Sequence, residues 1–506
     1  MKNKRSTRIF LAYLLLTLTI LACNQFVAEP KPPQDIATVP ATDEAPVTAA
    51  PEQPLEASAG STGLGDSLYP DFGNGGYETE HYTLDMTVNN IATSDLSAIV
   101  SIEANALQDL SSFNLDFVGF EINEITVNGE SAEFERTESE LTVYPSSAIA
   151  KDEAFTVIVQ YAGSPEEMQS VALPVQTGWV TVDGGSFVMS EPDGSASFYP
   201  VNDHPLDKAT YTFRVTVPAP LEVAANGVLT ETINNGDTNT FIFEVRDPMA
   251  SYLTTINIDE FEIETSQSQT GIPIRDYYSS TLAEEYRKPF ARQAEMIDYF
   301  SEIFGPYPFE VYGSMLMDTE FGSALENQTL SIYGTDMIDL DNVEETELTV
   351  AHELSHQWFG DSVSVADWSD IWLNEGFATY SEGLWIEHTS GRESLDDWVK
   401  FIYSDVITYP EYYPAPGNPP ADDLFNGGVY VRGGLLLHAL RLEVGDENFF
   451  AILQTYFERY QGGNASTADF IAIAEEISAK DLSTFFDAWL FNEAIPSIPA
   501  MGLGVE

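Results

Sequence analysis

The stretch His352-Glu353-Leu354-Ser355-His356, followed by Asn374-Glu375-Gly376, decides how this chain is read. Two histidines four residues apart on a helix lie on one face, with Cβ atoms about 5–6 Å apart. Both imidazoles can then reach one zinc ion at roughly 2.0–2.1 Å. Glu353 sits beside the first histidine, reaches a water at the metal without ligating it, and suits a general base. Glu375 follows His356 after 18 intervening residues and is the expected third ligand. The fourth position stays open for water and substrate, which marks a catalytic rather than a structural zinc. One Zn²⁺ per chain is expected.

An isolated pattern of this kind can be a surface accident. Here Val350, Leu354 and Trp358 recur at helical spacing around it, which predicts a buried helix. Two histidines and a glutamate inside a core need partners, because burying polar groups unpaired is costly.

The 506 residues are enough for an export signal and two or three domains. Asp and Glu number 81 against 20 Lys and Arg, a net charge of −61. A surface so acidic repels nucleic acid and anionic lipid. Residues 1–22 read as a signal peptide: Lys2, Lys4, Arg5 and Arg8 precede an apolar run from Ile9 to Leu21. That run is short for a membrane span. It ends at Ile20-Leu21-Ala22-Cys23, and Cys23 is the only cysteine, so no intramolecular disulfide can form. An apolar residue, a small one, then Cys resembles a bacterial lipobox, so a lipid anchor at Cys23 is expected. Residues 23–76 are expected to be a lipidated cysteine and a disordered tether, rich in Pro, Ala, Glu, Ser and Gly.

Residues 77–262 read as an N-terminal all-β domain of sandwich or saddle type. His81 to Val88 and Tyr211 to Val217 alternate apolar and polar residues, and Asn128-Gly129, Asn226-Gly227 and Asn235-Gly236 mark turns. Residues 263–506 change to helical periodicity: Glu284 to Phe304, the metal-motif helix, Val429 to Val444, Phe470 to Ile477 and Leu482 to Phe491.

Beyond the metal motif, the chain from about residue 77 to 498 resembles the aminopeptidase N-like zinc peptidases, a family that includes leukotriene A4 hydrolase. Val350 to Glu382 looks like its zinc segment. Ser323-Ala324-Leu325-Glu326-Asn327 resembles its G-x-M-E-N motif, Val429 to Gly434 its Y-x-K-G segment, and Met189-Ser190-Glu191-Pro192 the β-domain segment that reaches the active site. The resemblance implies a thermolysin-like, α+β, mostly helical catalytic domain. It implies that Glu326 and Glu191 bind the substrate's free α-amino group, that Ala324 and Asn327 belong to the substrate-binding strand and loop, and that Tyr430 hydrogen-bonds the oxyanion. Glu382, seven residues after Glu375, is expected to hydrogen-bond a ligand histidine. His81, His204, His388 and His438 are expected to be structural or surface residues. Three positions depart from the family pattern: Ser323 for Gly, Leu325 for Met and Arg432 for Lys. The long C-terminal helical domain of many relatives has no counterpart before Glu506, which predicts a more open cleft.

The resulting expectation is a zinc aminopeptidase outside the cytoplasm, acting on peptides with a free N-terminus. The rivals are an endopeptidase or epoxide hydrolase on the same site, and an inactive peptide-binding lipoprotein. Oligomeric state and preferred N-terminal residue are open at this level.

Overall fold

Alternation of apolar residues builds the first half of the molecule. In Tyr77–Asn90, the side chains of Tyr82, Leu84, Met86 and Val88 are buried while their neighbours face outward, the period of two that a half-buried strand requires. This strand is central in an eight-stranded sheet. It pairs antiparallel with Asp95–Ala106 and parallel with Ala209–Pro218, where Tyr82 sits opposite Tyr211. A four-stranded sheet built on Leu110–Asp116 and a five-stranded sheet containing Gln176–Val182, Gly185–Met189 and Ile256–Asp259 complete the β domain. The three predicted Asn-Gly turns all fall between strands.

The computed structural model describes residues 57–166 and 168–504, within one compact unit that begins at Ala57. The expected signal peptide, Cys23 and residues 23–56 lie outside the described residues. Among the described residues, no helix is long and apolar enough to cross a membrane.

Two predicted boundaries move. The expected tether ends by residue 56, not 76. Ser58–Ala59 pairs with Leu110–Asp116. Asp66 accepts from the amides of Leu68 and Tyr69, each at 2.8 Å, and from the Trp368 amide at 2.7 Å. It also faces His204 Nε2 at 3.3 Å. Ser67 donates twice to Asp367, and the Tyr69 hydroxyl to the Ala421 carbonyl. Residues 57–76 are therefore a strap across both halves. Composition averaged over the segment hides this, because Tyr69 and Phe72, stacked at 4.6 Å, are its only two large anchors beside Leu64 and Leu68. The boundary predicted between 262 and 263 cuts the strand Phe261–Gln267, which pairs with Pro273–Ser279. The β domain ends with Ile256–Asp259.

The second half follows the expected plan. A five-stranded sheet carries Ala324–Leu325 as its edge strand, beside Ser331–Tyr333. Helices follow: Val343–Ser355 with the metal motif contacts the edge strand Ala324–Leu325, Trp372–Ser390 packs on that helix, and Gly433–Val444 packs on Trp372–Ser390. Val350, Leu354 and Trp358 are fully buried, as the spacing predicts. Burying each such side chain is worth about 1.5–3 kcal/mol, so core packing fixes the helix that carries the site.

Candidate active site

Val343–Ser355 presents His352 and Glu353 on its last turn, and His356 caps it. Trp372–Ser390 brings Glu375 on its first turn and Glu382 two turns later. Residues seven apart lie on nearly one helix face, so both acids point at the histidines. His352 donates Nδ1–H to Glu382 at 2.9 Å, and His356 donates Nδ1–H to the Phe359 carbonyl at 3.1 Å. These bonds orient both rings and leave each Nε2, rather than Nδ1, to face the metal position. Each Nε2 faces Glu375 Oε2, His352 at 3.4 Å and His356 at 3.5 Å. Tetrahedral ligands at zinc bond lengths stand about 3.3–3.5 Å apart, so the donor set fits zinc. Burial alone would raise the Glu375 carboxyl, but the two histidines outweigh it and hold it at about 2. It is an anion ready to ligate.

Glu353 is buried on the same mouth, its carboxylate within 4.8 Å of ligand atoms on His356 and Glu326. Burial pushes it up to about 8, against the pull of His352 and His356. A carboxyl shifted toward neutrality accepts and returns a proton at little cost.

Tyr430 comes from a turn of π-helix, Gly428–Arg432, that leads into Gly433–Val444. Its ring stacks on His352 with centroids 6.0 Å apart. Two glycines allow the approach: a Cβ on Gly376 would lie 2.9 Å from the Gly433 Cα, so the helices carrying Glu375 and Tyr430 touch backbone to backbone. Burial and the surrounding glutamates keep the phenol protonated, an O–H donor. Arg432, two residues on, is fully buried. It donates to the carbonyls of Ala488, Trp489 and Asn492 at the end of the helix Ser483–Leu490. This accounts for arginine at the lysine position, since a guanidinium offers a fork of donors where an ammonium offers one point.

Glu326 follows the edge strand and Glu191 follows Gly185–Met189 of the β domain, so two domains deliver acids to one place. Oxygens of Glu191, Glu326 and Glu375 lie within 4.8 Å of one another. Oε1 of Glu191 and Oε1 of Glu326 are buried with no hydrogen-bond partner among the described residues. Burial pushes both carboxyls up, and for Glu191 the neighbouring glutamates add to it. The pair calls for a cation with N–H donors.

Asn327 follows Glu326 on the same loop. It is fully buried, its amide donates to the Leu253 carbonyl at 3.0 Å and anchors the loop to the β domain, and its Oδ1 has no hydrogen-bond partner among the described residues. The other four histidines are structural: His81 bonds Thr210, His204 faces Asp66, His388 pairs with Glu295 and His438 accepts from Tyr380. Sequence reasoning missed Gln357. Its Nε2 donates to the Glu326 carbonyl at 2.9 Å and its Oε1 accepts from the Thr329 amide at 2.8 Å, tying the Glu326 loop to the metal helix. A polar residue between His356 and Trp358 in a buried run was the available signal.

Comparison with known proteins agrees with this geometry. The Peptidase M1 N-terminal domain matches residues 78–253 and the Peptidase family M1 domain matches residues 289–489. The M1 zinc metallopeptidase from Deinococcus radiodurans, as a variant bound to a Tyr-Ser-Ala substrate, is 32% identical with a TM-score of 0.80; the match covers 86% of this chain and 99% of that one. This chain belongs to the M1 family of zinc metallopeptidases. Other M1-like relatives include human glutamyl aminopeptidase, 29% identical over 62% of this chain and 34% of that protein. Aminopeptidase N of Streptomyces lividans is 27% identical over 75% of this chain and 46% of that protein. The chain thus spans between a third and a half of those two relatives.

Proposed function

We propose that this protein is a zinc-dependent aminopeptidase that removes the N-terminal residue from peptides outside the cytoplasm. The observation that carries this reading is the pair of buried oxygens on Glu191 and Glu326 that have no hydrogen bond among the described residues, beside the His352–His356–Glu375 donor set. A free N-terminal ammonium supplies the donors and the charge that these oxygens lack. A blocked or internal amide has no charge and a single N–H, which separates an exopeptidase from an endopeptidase.

Bound zinc would polarise the scissile carbonyl and make an attacking water more acidic. Glu353 takes the water's proton at its carboxylate and passes it to the leaving amine. Tyr430 donates its O–H to the oxygen that becomes negative. Glu326 and Glu191 hold the ammonium, and the edge strand at Ala324 offers main-chain groups to the peptide backbone. Glu382 keeps the His352 ring in its ligating tautomer.

The basic start, the apolar run and Cys23 support export and a lipid anchor. Mobility of the mature chain with membranes, lost in a Cys23→Ala variant, tests that part. For the activity, a panel of aminoacyl-arylamides is offered to the protein with and without a chelator. Hydrolysis should stop with the chelator and be absent on the N-acetylated versions. Cleavage of the N-acetylated substrates would sink the aminopeptidase reading in favour of an endopeptidase.

A further inference from the structure

The turn after the metal helix carries the carbonyl that orients His356, and the β domain grips that turn from below. Lys208 leaves the start of the strand Ala209–Pro218 and crosses into the catalytic half. Its Nζ donates to the carbonyls of Asp361 at 2.8 Å, Ser362 at 3.1 Å and Gly463 at 3.3 Å. An ammonium has three donors and no acceptor, so three carbonyls satisfy it completely. Tyr252, at the end of the β domain, donates its hydroxyl to the Gly360 carbonyl at 3.3 Å. Two β-domain side chains therefore hold three consecutive residues of the turn, 360 to 362.

The turn is packed against the metal ligand itself. The Asp361 amide returns to the His356 carbonyl at 2.9 Å. Gly360 has φ +136°, and a Cβ there would lie 3.1 Å from His356 Nδ1. Phe359, next to Gly360, provides the carbonyl that holds this same Nδ1. A shift of the turn by a few tenths of an ångström moves the hydrogen bond that sets the His356 tautomer.

We infer that Lys208, assisted by Tyr252, is a positioning residue for the metal site: the β domain sets zinc affinity through the turn that orients His356. This rests on the zinc reading above. It differs from a plain domain staple in what it predicts. A staple such as the Ser67 hydroxyl on Asp367 also joins the two halves, at 2.6 Å, but touches neither the turn nor a ligand. Breaking it changes stability alone.

The test is the zinc dissociation constant of the full chain, measured by competition with a chromophoric chelator. The melting temperature of each metal-free protein is recorded beside it. Loss of groups that orient metal ligands weakens binding by about 10–100-fold, and Lys208→Met is expected in that range. Tyr252→Phe should weaken binding by a smaller factor, and Ser67→Ala should leave it unchanged even where its melting temperature falls. Zinc held as tightly by Lys208→Met and Tyr252→Phe as by wild type overturns the inference, whatever their stability. If Lys208→Met does not fold, Tyr252→Phe decides, and unchanged affinity there overturns it. A wild-type protein that binds no zinc overturns the zinc reading itself, and the inference with it.

Discussion

Asp207 in the β domain and Glu326 in the cleft are both buried acids, but their surroundings differ. Asp207 accepts from the Thr79 amide and hydroxyl, each at 2.9 Å. Asp116 accepts from the Asp203 amide and Asn74, Asp203 from the Ser251 hydroxyl, and Asp66 from three amides. These carboxylates replace missing backbone partners and are complete. Around the metal site, Glu191 and Glu326 each keep one buried oxygen without a hydrogen-bond partner among the described residues; that of Glu326 faces His356 Nδ1 only at 4.0 Å. Leaving such an atom unpaired costs about 1–3 kcal/mol, more for a charge. The difference teaches where to look for a ligand: among 81 acids, Glu191 and Glu326 combine an oxygen lacking a hydrogen bond with a place beside the metal donor Glu375.

The sharpest break in this comparison is Glu353→Gln. It should lower kcat by roughly 10²–10⁴-fold, the share of a general base, with zinc content and melting temperature retained. Steady-state kinetics beside metal analysis checks it. Glu326→Gln comes next, and should cost about 2–5 kcal/mol in kcat/KM on free-amine substrates. Its melting temperature should hold or rise, because a neutral amide relieves an unpaired buried charge. A clear loss of stability would instead place Glu326 with the structural acids.

Removing residues 57–76 takes Asp66 from the buried Trp368 amide, a charged hydrogen bond worth about 1.5–3 kcal/mol. Denaturant unfolding should show a drop of that order against a chain that begins at Ala57. Asp207→Ala sharpens the structural side: a stability loss of about 1–3 kcal/mol and unchanged kcat/KM. The last effect is on pH. Burial raises Asp203 and Asp207 to about 7 each, so the folded state binds more protons than the unfolded state between their ordinary range and that value. Stability of the metal-free protein is therefore fullest below the unfolded pKa and falls as pH rises through about 7, by at most about 1.4 kcal/mol per pH unit for each group. Asp66 and Asp367, held low, change stability only at and below the ordinary carboxyl range and add no slope across this window. Melting curves from about pH 5 to about pH 7.5 measure it, and Asp207→Asn should flatten them.

The metal trio was legible because its information is local. His352 and His356 share one helix face and Glu375 and Glu382 another, so spacing predicts which residues stand together on each helix, and the packing of the two helices brings them to one point. The strands were legible for the same reason, as the burial of Tyr82 through Val88 shows. Glu326, Glu191 and Tyr430 needed the family resemblance, since one acid among 81 or one tyrosine among 24 carries no signal of its own. What the sequence determined by itself, then, is periodicity, fold class and the ligand spacing. Tertiary structure alone decided that Asn327 turns toward Leu253, that residues 57–76 are a strap, and that Lys208 reaches a turn 153 residues away. Hydrogen-bond partners chosen across such distances depend on how whole sheets and helices pack, and no local pattern in the chain encodes that choice.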